Sequence, residues 1–158
     1  MELKNISFQY KEYSNKESLP SQLNLLVEKA LLISKQAYVP YSNFHVGAAL
    51  ELENGEIFSS TNQENASYPV GTCAERGLLF YVASQYPTEK IIRLAVSSED
   101  LAQPLPPCGM CRQVILEYEK KQGKSIEIIL SGKSGKVYVL PSAASLLPLH
   151  FDEKYLEP

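Results

Sequence analysis

Three cysteines constrain the fold of this chain more than any other feature, because each stands at the start of a stretch with helical character. Cys108 and Cys111, in Pro107-Cys108-Gly109-Met110-Cys111, are three residues apart, which puts both sulfurs on one side of a helix's first turn. Cys73, in Thr72-Cys73-Ala74-Glu75-Arg76, opens a second such stretch. If the two helix starts point at one another, three thiols meet. Helix N-termini carry positive potential and unpaired amide donors, both of which favour thiolate over thiol and help make metal ligands. Structural zinc centres are normally closed by four protein ligands, whereas catalytic ones use three and keep a water position open. The cysteine count here is three.

Only His45 and His150 can add an imidazole, and both read more easily as surface or hydrogen-bonded side chains. His45 faces away from the apolar side of its strand, and His150 sits in a near-terminal loop. A structural-zinc interaction module, with a histidine as fourth ligand, is the competing class. Glu75, two residues after Cys73, is in one reading an ordinary carboxylate favoured in a helix's first turn. In the other it is the group that hydrolysis at an open zinc position requires, taking a proton from water and passing it to the leaving side.

The helical and strand periods around these motifs suggest an α/β domain. Leu23, Leu26, Val27, Ala30, Leu31, Ser34 and Tyr38 trace one helical face from Ser21 to near Tyr38, where Pro40 limits it. Phe44, Val46, Ala48, Leu50 and Leu52 alternate as in a strand, and Asn54-Gly55 is a strong hairpin signal leading into a strand over residues 56–61. A helix at 74–85, a strand at 91–97, a helix from Cys108 to Lys121 closed by Gly123, strands at 126–130 and 137–140 and a short helix near 143–147 follow. Strand-helix-strand units favour parallel pairing with right-handed crossovers, so the expectation is a mixed five-stranded sheet covered by helices on both faces. Residues 1–20 read as an N-terminal extension with one short strand at Ile6 to Tyr10, and residues 21–158 as the domain proper.

The 158 residues suit a single domain, and 44% hydrophobic with 21% charged residues is ordinary globular composition. The net charge is −3 and no basic run exceeds Lys120-Lys121, so no nucleic-acid partner is expected and a small, weakly charged one fits better. No apolar run approaches a membrane span and no export signal opens the chain. With cysteines grouped as one single and one close pair rather than as a disulfide framework, a reducing cytoplasm is the expected setting.

Cys73-Ala74-Glu75 followed by Pro107-Cys108-Gly109-Met110-Cys111 resembles the signature of zinc nucleoside deaminases. The likeness extends to Pro40-Tyr41-Ser42-Asn43-Phe44, Val46-Gly47-Ala48-Ala49-Leu50, the run from Asn62 to Pro69, Arg112-Gln113-Val114, and Leu146-Leu147-Pro148 with Phe151. Together these look like the small homotetrameric cytidine deaminases, over nearly everything from Ser21 to Asp152. The resemblance implies a three-layer α-β-α fold, a Zn2+ cofactor on Cys73, Cys108 and Cys111, and Glu75 as proton shuttle in converting cytidine and deoxycytidine to the uridines with release of ammonia.

It also implies that Asn62 and Glu64 bind the ribose and that Phe44 and Phe151 lie around the pyrimidine. Ala66 and Tyr68 would reach the 5'-hydroxyl across a subunit boundary, with Tyr41 a weaker candidate for the same lining. Arg76, beside Glu75, would offset the negative charge of a three-thiolate centre by donating to ligand sulfur. Pro106 departs from the Ser or Thr that many relatives carry before the Pro-Cys. A deaminase acting on another nucleoside or on a base in RNA is the second rival; the acidic net charge weakens the RNA option.

Overall fold

The computed structural model describes residues 1–156; the last two positions of the domain expected over residues 21–158 lie outside the described residues. Three helices, α1 (Ser21–Ser34), α2 (Ala74–Gln85) and α3 (Gly109–Gln122), pack on a sheet of six strands: β1 (Lys11–Tyr13), β2 (Gly47–Leu52), β3 (Ile57–Thr61), β4 (Ile91–Ser97), β5 (Glu127–Ser131) and β6 (Val137–Leu140). The order across the sheet is β1-β6-β5-β4-β2-β3. Only β4 and β5 run parallel, joined by the α3 crossover; every other pair is antiparallel.

The expected three layers are present. Leu23, Leu26, Val27, Ala30 and Leu31 of α1 pack with Ala49, Ala95, Ile129, Val137 and Val139 on one face of the sheet. Leu78, Leu79 and Val82 of α2 and Ile115 and Leu116 of α3 pack with Leu50, Leu94, Val96, Ile128 and Leu130 on the other. Both faces being covered, every residue of β2 is buried, including the half of its alternation that reads as solvent-facing in the sequence. Its charged member, Glu51, is buried with Arg93 of β4, whose guanidinium lies 2.7 Å from it and 3.0 Å from Glu127. Gly47 is where α1 comes nearest the sheet: a β-carbon there would overlap the Ala30 carbonyl oxygen.

Three expectations are corrected. The sheet has six strands, not five, because the N-terminal segment adds β1 to the edge of β6; this strand lies at Lys11–Tyr13 rather than at residues 6–10. Helix α1 stops at Ser34, four residues short of Tyr38, because the Tyr38 backbone is taken into pairing with residues 62–64: Tyr38 N–H donates to the Asn62 carbonyl and Glu64 N–H to that of Tyr38. Strand β2 begins at Gly47 rather than Phe44, since the Asn62 side chain accepts from Val46 N–H and donates to the Phe44 carbonyl, 2.8 Å each, replacing strand partners there. Gly123, at a φ of 62°, closes α3 as expected. No described helix is long and apolar enough to cross a membrane.

Candidate functional site

Helices α2 and α3 lie side by side on one face of the sheet, and their N-terminal caps are Cys73 and Cys108. Cys111 projects from the first turn of α3. The sulfurs of Cys73 and Cys108 are 3.8 Å apart, and all three lie within 4.8 Å of one another. Zinc-sulfur bonds of about 2.3 Å at tetrahedral angles set sulfurs about 3.8 Å apart, so the three donors fit one zinc ion. Cys111 is buried, Cys73 half-buried and Cys108 exposed, which leaves one flank of the cluster open. Neither histidine takes part: His45 Nδ1 is 3.0 Å from Asp100, and His150 Nδ1 is 2.9 Å from the Leu147 carbonyl. Among the described residues the cluster is made of the three cysteines alone.

Without an ion the thiols share protons. Cys111 donates to Cys73, which pushes Cys111 up and Cys73 down to about 6, with smaller help from Cys108 and the Arg76 charge. Glu75, in the first turn of α2, is only 3% exposed. Burial raises its carboxyl to about 6, and the Cys73 charge pushes the same way. A carboxyl poised near neutrality beside a metal position suits general acid and base work. Arg76 donates to the Gly71 carbonyl at 3.2 Å and lies 4.0 Å from the Met110 sulfur, while its Nε is buried without a partner.

The sequence of the cytidine and deoxycytidylate deaminase zinc-binding region matches residues 20–124, a span that contains all three cysteines and Glu75. The chain belongs to this deaminase family. Zinc is therefore the metal that the cysteine cluster takes. A cytidine deaminase of Halalkalibacterium halodurans is 44% identical over 93 residues, 59% of this chain and 69% of that protein. One from Sporosarcina psychrophila is 40% identical over 134 residues, 82% and 94% of the two chains. The crystal structure of a cytidine deaminase from Burkholderia pseudomallei aligns with a TM-score of 0.73 at 40% identity, covering 84% of this chain and 100% of that one. That of the Mycobacterium tuberculosis enzyme aligns at 0.67 and 31% identity, covering 84% and 99%.

The remaining site candidates of this deaminase fall into two groups. Glu64 and Tyr68, with Tyr41, Ser42, Asn65 and Gly71, line a cavity of 380 Å3. Its floor is organised by the Glu64 carboxylate, which accepts from the backbone N–H groups of Tyr41 (3.0 Å) and Ser42 (3.2 Å); hydrogen bonds from Ser42 and Tyr41 hold it below the usual carboxylate range. Tyr41 and Tyr68 meet edge to face at 5.8 Å, which promotes Tyr41 from a weak candidate to a wall of the cavity. Asn62 is tied to the backbone beside Phe44, and Phe44 packs on the core below α2 and α3. Asn62 keeps one N–H and one oxygen lone pair free of those bonds.

The second group is exposed, and Tyr68 belongs to both. Ala66 is at the surface, Tyr68 is 76% exposed, and Phe151, 55% exposed, stacks on Tyr155 at 5.7 Å and does not line the cavity. Pro106 is exposed and lines an apolar cleft of 210 Å3 together with Phe8 and Tyr10 of the N-terminal segment, Tyr138 and Leu146. Sequence reasoning assigned no role to Ser42, Arg112 or Gln113. Ser42 acts on Glu64 through both its hydroxyl and its backbone N–H, a pairing across 22 residues that the sequence does not mark; for the other two, adjacency to Cys111 was the available signal.

Proposed function

We propose that the chain is a hydrolytic deaminase of cytidine and deoxycytidine, and that one observation carries this reading: three thiols arranged for a single zinc at two facing helix N-termini, with the buried carboxyl of Glu75 in the first turn of α2. Bound zinc supplies Lewis acidity that brings a water ligand toward deprotonation near neutral pH. Glu75 accepts the proton of the attacking water and delivers it to N3 of the pyrimidine as oxygen adds to C4. It then takes the second proton from that oxygen and gives it to the exocyclic amine, so the C4–N bond breaks, ammonia leaves and the C4 carbonyl forms. Burial of its carboxyl, which favours the protonated form, lets it hold the proton between the two transfers.

In this reading Cys73, Cys108 and Cys111 are the ligands, and Arg76 offsets the charge of the three thiolates. Its unpartnered buried Nε supports that role, because a guanidinium N–H left without an acceptor is costly unless a thiolate or its ligand shell answers it. Glu64 accepts from the sugar hydroxyls and Asn62 donates to or accepts from them, while Phe44 and Phe151 border the base. Ala66 and Tyr68 approach the 5'-hydroxyl of a neighbouring subunit's substrate in a homotetramer, which accounts for their exposure in the single chain. The partner is a free nucleoside, not nucleic acid, and the setting is the cytoplasm.

The deciding experiment is an ultraviolet assay of the zinc-loaded protein with cytidine, deoxycytidine, cytosine, CMP and adenosine. Cytidine and deoxycytidine are both converted; CMP is poor because its phosphate meets the Glu64 carboxylate side of the cavity. Robust CMP turnover without cytidine turnover would overturn the substrate assignment.

A further inference from the structure

Beyond its cysteine, helix α3 presents two polar stripes at seven-residue spacing, Arg112 with Glu119 and Gln113 with Lys120, and all four side chains hold one segment, residues 142–152. Glu119, buried, accepts from the Ser142 hydroxyl at 2.7 Å and from Ala143 N–H at 2.9 Å. Arg112 donates through one arm of its guanidinium to the Leu146 carbonyl at 2.9 Å. Gln113 donates to the Phe151 carbonyl at 3.0 Å, and Lys120 lies 3.1 Å from the buried Asp152 carboxylate.

Arg112 has a second contact. Its Nε donates to the Pro107 carbonyl at 2.8 Å, the residue immediately before Cys108. The approach to Cys108 is poor in other backbone anchors, because Pro104, Pro106 and Pro107 have no N–H and Leu105 N–H reaches the Ser131 carbonyl at 3.3 Å. Cys108 is the exposed member of the cluster.

From this geometry we infer that Arg112 and Gln113 are positioning residues: Arg112 fixes the Cys108 turn and the C-terminal segment to the same helix, whereas Gln113 fixes only the part of that segment that carries Phe151. The planar fork of arginine reaches two carbonyls in different directions, which lysine cannot reproduce. The consequence for turnover rests on Phe151 bordering the substrate, as proposed above; the consequence for the metal does not.

The test compares zinc-loaded wild type with Arg112→Lys, Arg112→Met and Gln113→Leu, reading zinc transfer to a colorimetric chelator, and KM and kcat for cytidine. Gln113→Leu raises KM about tenfold, the effect of one lost hydrogen bond, with kcat little changed and zinc release at the wild-type rate. Arg112→Lys raises KM similarly and also releases zinc about tenfold faster. Arg112→Met does the same if it folds, as judged by circular dichroism; Arg112→Lys decides if it does not. In a Phe151→Ala background, Gln113→Leu produces no further rise in KM, because both changes remove the same contribution. Zinc release unchanged by Arg112→Lys, equal acceleration by Gln113→Leu, or additive KM effects with Phe151→Ala would each overturn the inference. Absence of cytidine turnover in the wild type would refute the substrate reading and leave the zinc-release comparison intact as a test of Arg112.

Discussion

Glu75 is the residue at which environment most changes chemistry. Glu75→Gln preserves shape and removes no ligand, so zinc content and native structure are retained while kcat falls by about 100-fold to 10,000-fold, the usual worth of a general acid and base. Loss of zinc in the same variant would place Glu75 in the metal shell instead. Its raised pKa also predicts a stability effect in the zinc-free protein. A carboxyl more easily protonated folded than unfolded favours the fold fully below about pH 4.5 and loses that contribution as pH rises through about 6. Glu75→Gln is therefore equal to wild type at low pH and more stable by about 2 kcal/mol above pH 6, as denaturation curves at several pH values will read. Arg76→Gln lowers kcat/KM about 10-fold to 100-fold with zinc largely kept, and adding Cys73→His recovers part of the loss by removing one negative charge. A silent Arg76→Gln contradicts charge compensation.

At the scale of elements, the packing of α1 on the sheet depends on a glycine. Gly47→Ala drives a methyl into the Ala30 carbonyl and costs about 1–3 kcal/mol, measurable as a shift in the denaturation midpoint with unchanged slope. The sequence displayed the helix stripe and the strand alternation on either side of this contact, yet nothing in Val46-Gly47-Ala48 marks which backbone comes close. Helix α2 and strand β4 were legible to the residue because their periods are uninterrupted. The end of α1 and the start of β2 were not, since in both places residues 62–64 and the Asn62 side chain, distant in sequence, compete for the local backbone. Strand β1 escaped for a related reason: three residues, Lys11 to Tyr13, carry too little alternation to announce a strand, and pairing with Val137, Tyr138 and Val139 defines it.

The whole molecule leaves Tyr68, Phe151, Met110, Phe80 and Tyr81 exposed. A homotetramer with shared sites predicts a scattering mass near four chains of 17.6 kDa under assay conditions. It also predicts complementation: mixing inactive Glu75→Gln with Tyr68→Ala chains under exchange conditions restores turnover above either alone, because some sites regain both groups. A fully active monomer contradicts this.

Residue types and their spacing alone singled out Cys73, Cys108, Cys111 and Glu75 as a group before any contact was known, because metal ligation and proton transfer demand specific atoms, and the fold brings the three sulfurs together. The layered α/β plan was equally legible, being written in periods of two and 3.6 residues. Tertiary structure decided everything that depends on backbone groups meeting across the chain. It made Tyr41 a cavity wall, spent half of Asn62 on bracing residues 44–46, and turned an apparent N-terminal tail into the sixth strand. Every residue offers the same N–H and C=O, so their partners are chosen by geometry, and a one-dimensional pattern carries no record of that choice.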